Sequence, residues 1–97
     1  MVEIVFSDSA FEDLNQIMEF IARDSSFYAY QFSQEIIERT EQLKTYPLSG
    51  RMVPELQDQS IRELFFKSYR IIYFGFSPDK IFILRIIHGA RNFPETI

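Results

Sequence analysis

The segment IRELFFKSYRIIYFGFSPDKIFILRII, residues 61–87, decides the fold of this 97-residue chain. It holds three β-rich runs, at residues 61–66, 69–76 and 80–87. The connections between them, Lys-Ser and Ser-Pro-Asp, have lengths and compositions suited to hairpin turns. The third run is apolar on both faces, which indicates a strand in the middle of a sheet with cover on each side. We therefore expect a three-stranded antiparallel meander.

Two helices are predicted before the meander. Residues 2–6 form a short β-rich run, and residues 7–9, Ser-Asp-Ser, offer side chains that can cap a helix start. Apolar residues then recur at three- and four-residue steps from Ala10 to about Arg23. The cluster at residues 24–26, Asp-Ser-Ser, can cap a second helix that extends to about Tyr46. The pattern predicts a helical hairpin, and we expect the first strand to pair beside the last one.

The stretch from Pro47 to Ser60 contains two prolines and a glycine and has no sustained periodicity. We expect it to be a surface loop and the most mobile segment of the chain. Together the elements predict an α+β fold in which a two-helix hairpin packs on one face of one small sheet. The length predicts a single domain spanning residues 1–97.

The composition argues against several classes of site. The chain has no cysteine, so it has no disulfide, no thiolate nucleophile and no Cys-based zinc site. With a single His, a metal site built from protein side chains is not expected, and we predict no cofactor. No run reaches the ~20 apolar residues of a membrane span, and the N-terminus lacks the basic and apolar pattern of a signal peptide. We expect a soluble, cytoplasmic protein without a membrane partner.

Charge is segregated along the chain. The formal net charge is −4, with 14 acidic and 10 basic residues. Residues 1–43 carry nine acids and two bases, whereas residues 44–97 carry five acids and eight bases. An anionic partner should therefore meet the second half of the chain.

Six short motifs, which together span nearly all of the chain, occur in a fixed order: SAFEDL (residues 9–14), LKTYP (43–47), GRMVPE (50–55), IREL (61–64), YRIIY (69–73) and IHGAR (87–91). In order and spacing they resemble toxins of the RelE/ParE superfamily, with a leaning to the ParE branch. The resemblance implies the toxin of a type II toxin–antitoxin system, of the kind associated with plasmid stabilization and growth inhibition. It also implies a cognate antitoxin whose C-terminal segment wraps the toxin. The expected assembly is a homodimer or a toxin–antitoxin hetero-oligomer.

The resemblance leaves the target open. ParE-like members inhibit DNA gyrase and have no established catalytic residues, whereas RelE-like members are ribosome-dependent mRNA endoribonucleases that need no metal. A third alternative is a family member that has lost toxicity and acts only as a binding partner. A sequence pI of about 4.9 opposes docking on ribosomal RNA, so the ParE-like alternative is favoured.

Six residues are candidates for a functional site because guanidinium groups suit phosphate or carboxylate recognition, and imidazole suits proton transfer. For binding they are Arg51, Arg62, Arg85 and Arg91. If the protein is a ribonuclease, the resemblance implies that Arg70 stabilises charge and that His88 acts as acid or base, although the residues after His88 depart from the pattern of nuclease members. Arg70 shares a predicted strand face with Ile72 and Phe74, and Arg85 shares one with Ile83 and Ile87. Because a charge among apolar residues needs a partner, an internal ion pair is the alternative for both arginines. The expected carboxylate partners are Glu55, Asp58 and Glu63.

Aromatic residues are numerous, with 11 Phe and 5 Tyr. Phe27, Tyr28, Tyr30 and Phe32 cluster at the start of the second helix, and six more aromatics populate the strands. Core packing is the favoured role for them. The surplus predicts an apolar surface for the antitoxin or for a second copy of the chain.

Overall fold

The protein is described by a computed structural model covering residues 2–75, 77–95 and 97. In chain order the elements are β1 (Glu3–Phe6), α1 (Asp8–Ala22), α2 (Ser26–Glu41), a 3₁₀ turn (Gln42–Lys44), β2 (Arg51–Met52), β3 (Ile61–Phe66), β4 (Tyr69–Phe74) and β5 (Lys80–His88). The strand predicted over residues 69–76 ends at Phe74, and Phe76 lies outside the described residues.

The strands form one mixed sheet in the order β1-β5-β4-β3-β2. The three predicted strands pair antiparallel in chain order, β3 with β4 and β4 with β5, but β2 adds a fourth antiparallel strand that the three-stranded meander did not include. The prediction that the first strand pairs beside the last is also confirmed, because β1 lies parallel to β5. Strand β5 thus occupies the interior of the sheet, as its run of apolar residues indicated.

Both helices begin at serine caps. The Ser7 hydroxyl accepts a hydrogen bond of 3.0 Å from the Ala10 amide, and the Ser25 hydroxyl accepts one of 3.1 Å from the Tyr28 amide. Each cap satisfies an amide that the first helical turn leaves without a backbone partner. The caps fix where the hairpin starts and turns, and the hairpin covers one face of the sheet.

The core lies between this hairpin and the sheet. Apolar side chains of both helices, such as Leu14 and Ile36, pack against buried side chains of the strands, such as Ile71, Ile81 and Ile83. Burial of this kind removes apolar surface from water and is the main favourable term in folding. A smaller cluster of Val53, Ile72 and Ile87 lies on the opposite face of the sheet.

Residues 47–60 are less loop-like than predicted. Arg51–Met52 form strand β2, which pairs antiparallel with Glu63 and Arg62 of β3, so the prediction of a segment without regular structure is wrong there. Val53 is completely buried against Ile72 and Ile87. The segment covers the second face of the sheet, and this cover explains why β5 is apolar on both sides.

The alternation of β5 side chains between the two faces of the sheet is broken at Leu84. Tyr73 pairs with Ile83 and Ile72 pairs with Arg85, so Leu84 has no partner on β4. The extra residue is typical of a β-bulge, which re-aims the side chains beside it. Ile83 consequently faces the helices while Ile87 belongs to the opposite cluster, and the prediction that both flank Arg85 on one face is wrong.

Candidate functional site

Two arginines and two glutamates form a cluster on the sheet face opposite the helices. We call Arg51, Glu55, Glu63 and Arg70 the arginine–glutamate cluster. Nε of Arg70 donates to Oε1 of Glu63 at 2.6 Å, and its two Nη atoms donate to the two carboxylate oxygens of Glu55 at 2.9 and 2.7 Å. Nε of Arg51 donates to the other oxygen of Glu63 at 2.7 Å. The cluster thus joins strands β2, β3 and β4 to the connection that carries Glu55.

Burial differs sharply across this cluster. The side chain of Glu63 is fully buried and that of Arg70 is 9% exposed, whereas those of Glu55 and Arg51 are 40% and 56% exposed. The aromatic rings of Phe65 and Phe93 lie beside the Arg51 and Arg70 guanidinium groups, at 4.8 and 5.3 Å from the ring centres. Such stacking favours guanidinium over ammonium.

The pKa values of Glu55 and Arg70 are shifted in the directions expected for opposite charges in contact. The hydrogen bond from Arg70 lowers the pKa of the Glu55 carboxyl from 4.5 to about 2, with the charges of Arg70 and Arg51 acting in the same direction. The hydrogen bond to Glu55, and then Glu63, raises the pKa of Arg70 above its ordinary value although burial opposes this. Both shifts favour the charged forms of Glu55 and Arg70 at neutral pH.

Arg85 makes an ion pair with a residue that sequence reasoning did not select. Its Nε and Nη2 donate to the two oxygens of Asp13 on α1 at 2.7 and 3.0 Å. The predicted partners were Glu55, Asp58 and Glu63, so the ion-pair interpretation is confirmed for Arg85 but its expected partner is wrong. The hydrogen bond to Asp13 raises the pKa of Arg85.

His88 and Arg70 point to opposite faces of the sheet. Residues directly opposed on antiparallel strands share a face, and the register places His88 opposite Tyr69 and Arg70 opposite Ile87. The His88 ring packs edge-on against Tyr69 at 5.3 Å between ring centres, on the side of the helices. Arg70 stacks on Phe93 on the other side. The sheet itself separates the two residues proposed for ribonuclease catalysis.

The His88 ring lines a groove of about 810 Å³ between α1 and the end of β5, together with Asp13, Phe20, Arg85 and Arg91. Its Nδ1 accepts a hydrogen bond of 3.1 Å from the Ala90 amide, which leaves the proton of a neutral imidazole on Nε2. Arg91 is exposed on the rim of this groove. Three of the six candidate residues, Arg85, His88 and Arg91, therefore line one groove.

Arg62 lies apart from both groups. It is opposite Tyr73 on β4, on the side of the helices, and its Nη1 donates to the Gly50 carbonyl at 3.0 Å. Its Nε is buried and has no hydrogen-bond partner among the described residues. The structure thus divides the six candidates among the arginine–glutamate cluster, the groove and this isolated position.

The aromatic residues divide between core and surface. Phe32 and Tyr73 are buried, whereas Phe27, Tyr28 and Tyr30 on the first turns of α2 are between 63% and 69% exposed. Core packing is confirmed for the first two, and the predicted surplus of exposed aromatic surface is confirmed for the other three. The side chain of Phe76 lies outside the described residues.

Two other classes of site have no structural basis in the part of the chain that the structure describes. No three His, Asp or Glu side chains there come together as they would around a metal ion. Nor does either described helix have the length and apolar character needed to cross a membrane.

Comparison with known proteins gives one family and one fold. The family model described as "ParE toxin of type II toxin-antitoxin system, parDE" matches residues 4–93. A solved structure described as the chromosomal ParDE toxin–antitoxin system from P. aeruginosa has the same fold, with a TM-score of 0.73 and 21% identity over 91% of this chain and 96% of that one. No curated protein matches the sequence. Since the family match covers nearly the whole chain, this protein belongs to the ParE toxin family of type II toxin–antitoxin systems.

Proposed function

We propose that this protein is a growth-inhibiting toxin that acts on DNA gyrase without catalysing a reaction, and that a cognate antitoxin neutralises it. The observation that supports this choice is the separation of Arg70 and His88 by the sheet. RNA cleavage through the ribose 2′-hydroxyl needs a base, an acid and a cationic group around one phosphate. Groups on opposite faces of a sheet cannot meet one phosphate, so the ribonuclease alternative loses its predicted catalytic pair.

The remaining candidates fit binding better than catalysis. Arg51, Arg70 and Arg85 each contact a carboxylate, so their charge is already compensated within the chain. Arg91 is exposed on the rim of the groove, and Arg62 faces the Gly50 carbonyl. We propose that Arg91 contributes to the surface that contacts the target, because an exposed guanidinium can bind carboxylate or phosphate without first breaking an internal ion pair.

Growth inhibition is tested by tightly controlled expression in a bacterial host, with DNA and protein synthesis followed by pulse labelling in the first minutes. We expect DNA synthesis to fall first while translation continues. In vitro, the purified protein should inhibit the supercoiling of relaxed plasmid by DNA gyrase. If translation stops first and supercoiling is unaffected, the ribonuclease alternative replaces this proposal. If growth is unaffected, the protein acts as a non-toxic binding partner.

The role of Arg91 is tested separately with an Arg91→Ala variant. Lys80→Ala, which removes one exposed positive charge at the start of β5, is the matched control. We expect the Arg91 variant to fold normally and to inhibit gyrase less, while the control keeps full inhibition. Equal inhibition by both variants would remove Arg91 from the proposed surface. If a small protein is encoded in the neighbouring gene, its co-expression should restore growth where that protein is the antitoxin.

A further inference from the structure

The guanidinium of Arg70 is held by two carboxylates that differ in their access to solvent. Glu63 on the neighbouring strand β3 accepts a hydrogen bond from Nε, and its side chain is fully buried. Glu55 binds the two Nη atoms from the outside, and 40% of its side chain is exposed. The inner carboxylate is therefore part of the fold, whereas the outer one lies between Arg70 and solvent.

The contact with Glu55 has the geometry of a ligand contact. Both Nη atoms donate in parallel to both oxygens of one carboxylate, at 2.9 and 2.7 Å. This two-pronged arrangement is the one by which arginine recognises carboxylates and phosphates in other molecules. Glu63 binds only Nε, and Glu55 is partly exposed on the connection between β2 and β3. Rotation of the Glu55 side chain alone would therefore free both Nη atoms.

We call the two Nη atoms of Arg70 the fork. Its surroundings favour the binding of a single anionic group. If Glu55 turned away, Arg51 and Arg70 with Glu63 would leave a net charge of +1. The rings of Phe65 and Phe93 flank the two guanidinium groups and would screen a bound anion from water. A carboxylate is favoured over a nucleic-acid phosphate, because both Nη atoms already bind the two oxygens of one carboxylate.

We infer that Arg70, flanked by Arg51, is a receptor for the carboxylate of an acidic partner protein, and that Glu55 occupies this receptor from within the chain until the partner displaces it. Glu55 then acts as a competitive internal ligand. The apparent affinity of Arg70 for any exogenous anion is its intrinsic affinity multiplied by the fraction of molecules in which Glu55 has left the two Nη atoms free. The inference is independent of the gyrase proposal, because it concerns which group fills the fork rather than what the toxin inhibits.

Chemical rescue tests the inference with the full-length chain. The variant Glu55→Ala empties the fork, and sodium formate supplies a small carboxylate, with sodium chloride at equal ionic strength as the reference. We expect formate to raise the melting temperature of this variant by about 4–8 °C over chloride, the shift for a domain of this size when free ligand is about five times its Kd. The wild-type protein should show no difference between the two salts, because Glu55 fills its fork.

Two controls separate this effect from general effects of charge. Glu41→Ala removes an exposed carboxylate that pairs with Lys44, so it changes the net charge equally but leaves the fork filled. It should behave as the wild type does. Adding Arg70→Lys to Glu55→Ala keeps the positive charge but removes the fork, and it should abolish the rescue. If that double variant is unfolded, NMR of the Arg70 guanidinium in Glu55→Ala during formate addition gives the same information.

Equal responses to formate in Glu55→Ala, Glu41→Ala and the wild type would overturn the inference. So would rescue that persists in the folded Arg70→Lys background, or an Arg70 guanidinium signal that does not move with formate. Stabilisation by inorganic phosphate without stabilisation by formate would overturn the assignment to a carboxylate partner.

Discussion

Asp13 on α1 accepts three hydrogen bonds at the point where β5 is bulged, two from Arg85 and one of 2.9 Å from the backbone amide of Ile86. Asp13 and Arg85 are 72 positions apart in sequence. Both side chains are mostly buried, with 14% of Asp13 and 24% of Arg85 exposed. One carboxylate thus fastens the first helix to the interior strand. It also satisfies a backbone amide beside the bulge.

We expect Asp13→Ala to lower the free energy of unfolding by about 2–3 kcal/mol, because it leaves the Arg85 charge and the Ile86 amide without their partner. Urea denaturation measures this change. The neighbouring Glu12 is exposed, so Glu12→Ala should change the free energy by less than about 0.5 kcal/mol. Equal effects of the two substitutions would show that the Asp13–Arg85 pair contributes little to stability.

Gly50 lies where no side chain fits. A Cβ at this position would come within 2.6 Å of the Glu63 carbonyl oxygen and 2.7 Å of the Tyr73 hydroxyl. That hydroxyl accepts a hydrogen bond from the Gly50 amide. We expect Gly50→Ala to destabilise the protein by about 2–3 kcal/mol, since the clash involves backbone and a fully buried ring. Thermal unfolding followed by circular dichroism measures the loss.

The matched substitution is Gly89→Ala, where the nearest atom to the new Cβ would be the Ser68 carbonyl oxygen at 3.3 Å. A shift of a few tenths of an ångström relieves that contact, so its cost should be below about 1 kcal/mol. A Gly89 variant less stable than the Gly50 variant would contradict the packing described around Tyr73.

The ion pair of Glu55 predicts a pH dependence of stability. The pKa of this carboxyl is lowered from 4.5 to about 2, so its contribution is fully present above pH 4.5 and is lost as the pH falls towards 2. We expect the difference in unfolding free energy between the wild type and Glu55→Gln to be constant from neutral pH to about pH 5. Below pH 4.5 the difference should shrink.

This difference should be modest at every pH, because solvent screens a carboxylate that is 40% exposed. Denaturation curves at a series of pH values measure it for both proteins. A difference that grew as the pH fell would contradict the lowered pKa.

The separation of His88 from Arg70 predicts the outcome of a toxicity experiment. We expect His88→Ala to inhibit growth as strongly as the wild type, because a toxin without a catalytic step has no need of an acid or base. The substitution removes the edge contact with Tyr69, so it should cost only about 0.5–1.5 kcal/mol of stability. Loss of toxicity in a folded His88→Ala protein would instead support the ribonuclease alternative.

The sequence was informative where a structural feature depends on neighbouring residues. The bounds of β3 agree with the predicted run from Ile61 to Phe66, because turn residues delimit the run on its C-terminal side and its composition is β-rich throughout. The starts of both helices also follow from local chemistry, since Ser7 and Ser25 cap them. The ion pair of Arg70 with Glu55 and Glu63 was among the alternatives because an arginine between apolar residues needs a partner.

Three features that depend on distant residues were not predicted, although the pairing of β1 beside β5 was. Strand β2 is only two residues long and exists because Arg51 and Met52 meet β3, so it has no periodicity of its own. The bulge at Leu84 shifts the side chains after it to the other face, and alternation in a single sequence contains no sign of it. For the same reason Asp13 was not recognised as the partner of Arg85.

The parallel pairing of β1 with β5 joins the first and the last strand of the sheet. Glu3 lies beside Lys80, and the Ser7 hydroxyl donates a hydrogen bond to the Leu84 carbonyl, 77 positions later. During synthesis the first strand therefore has no partner until residues 80–83 have left the ribosome. Contacts of such long sequence separation are slow to form, because closing the loop between them costs entropy first. A polypeptide released before β5 has been synthesised cannot complete this sheet, so only translation through residue 88 supplies every strand of the folded toxin.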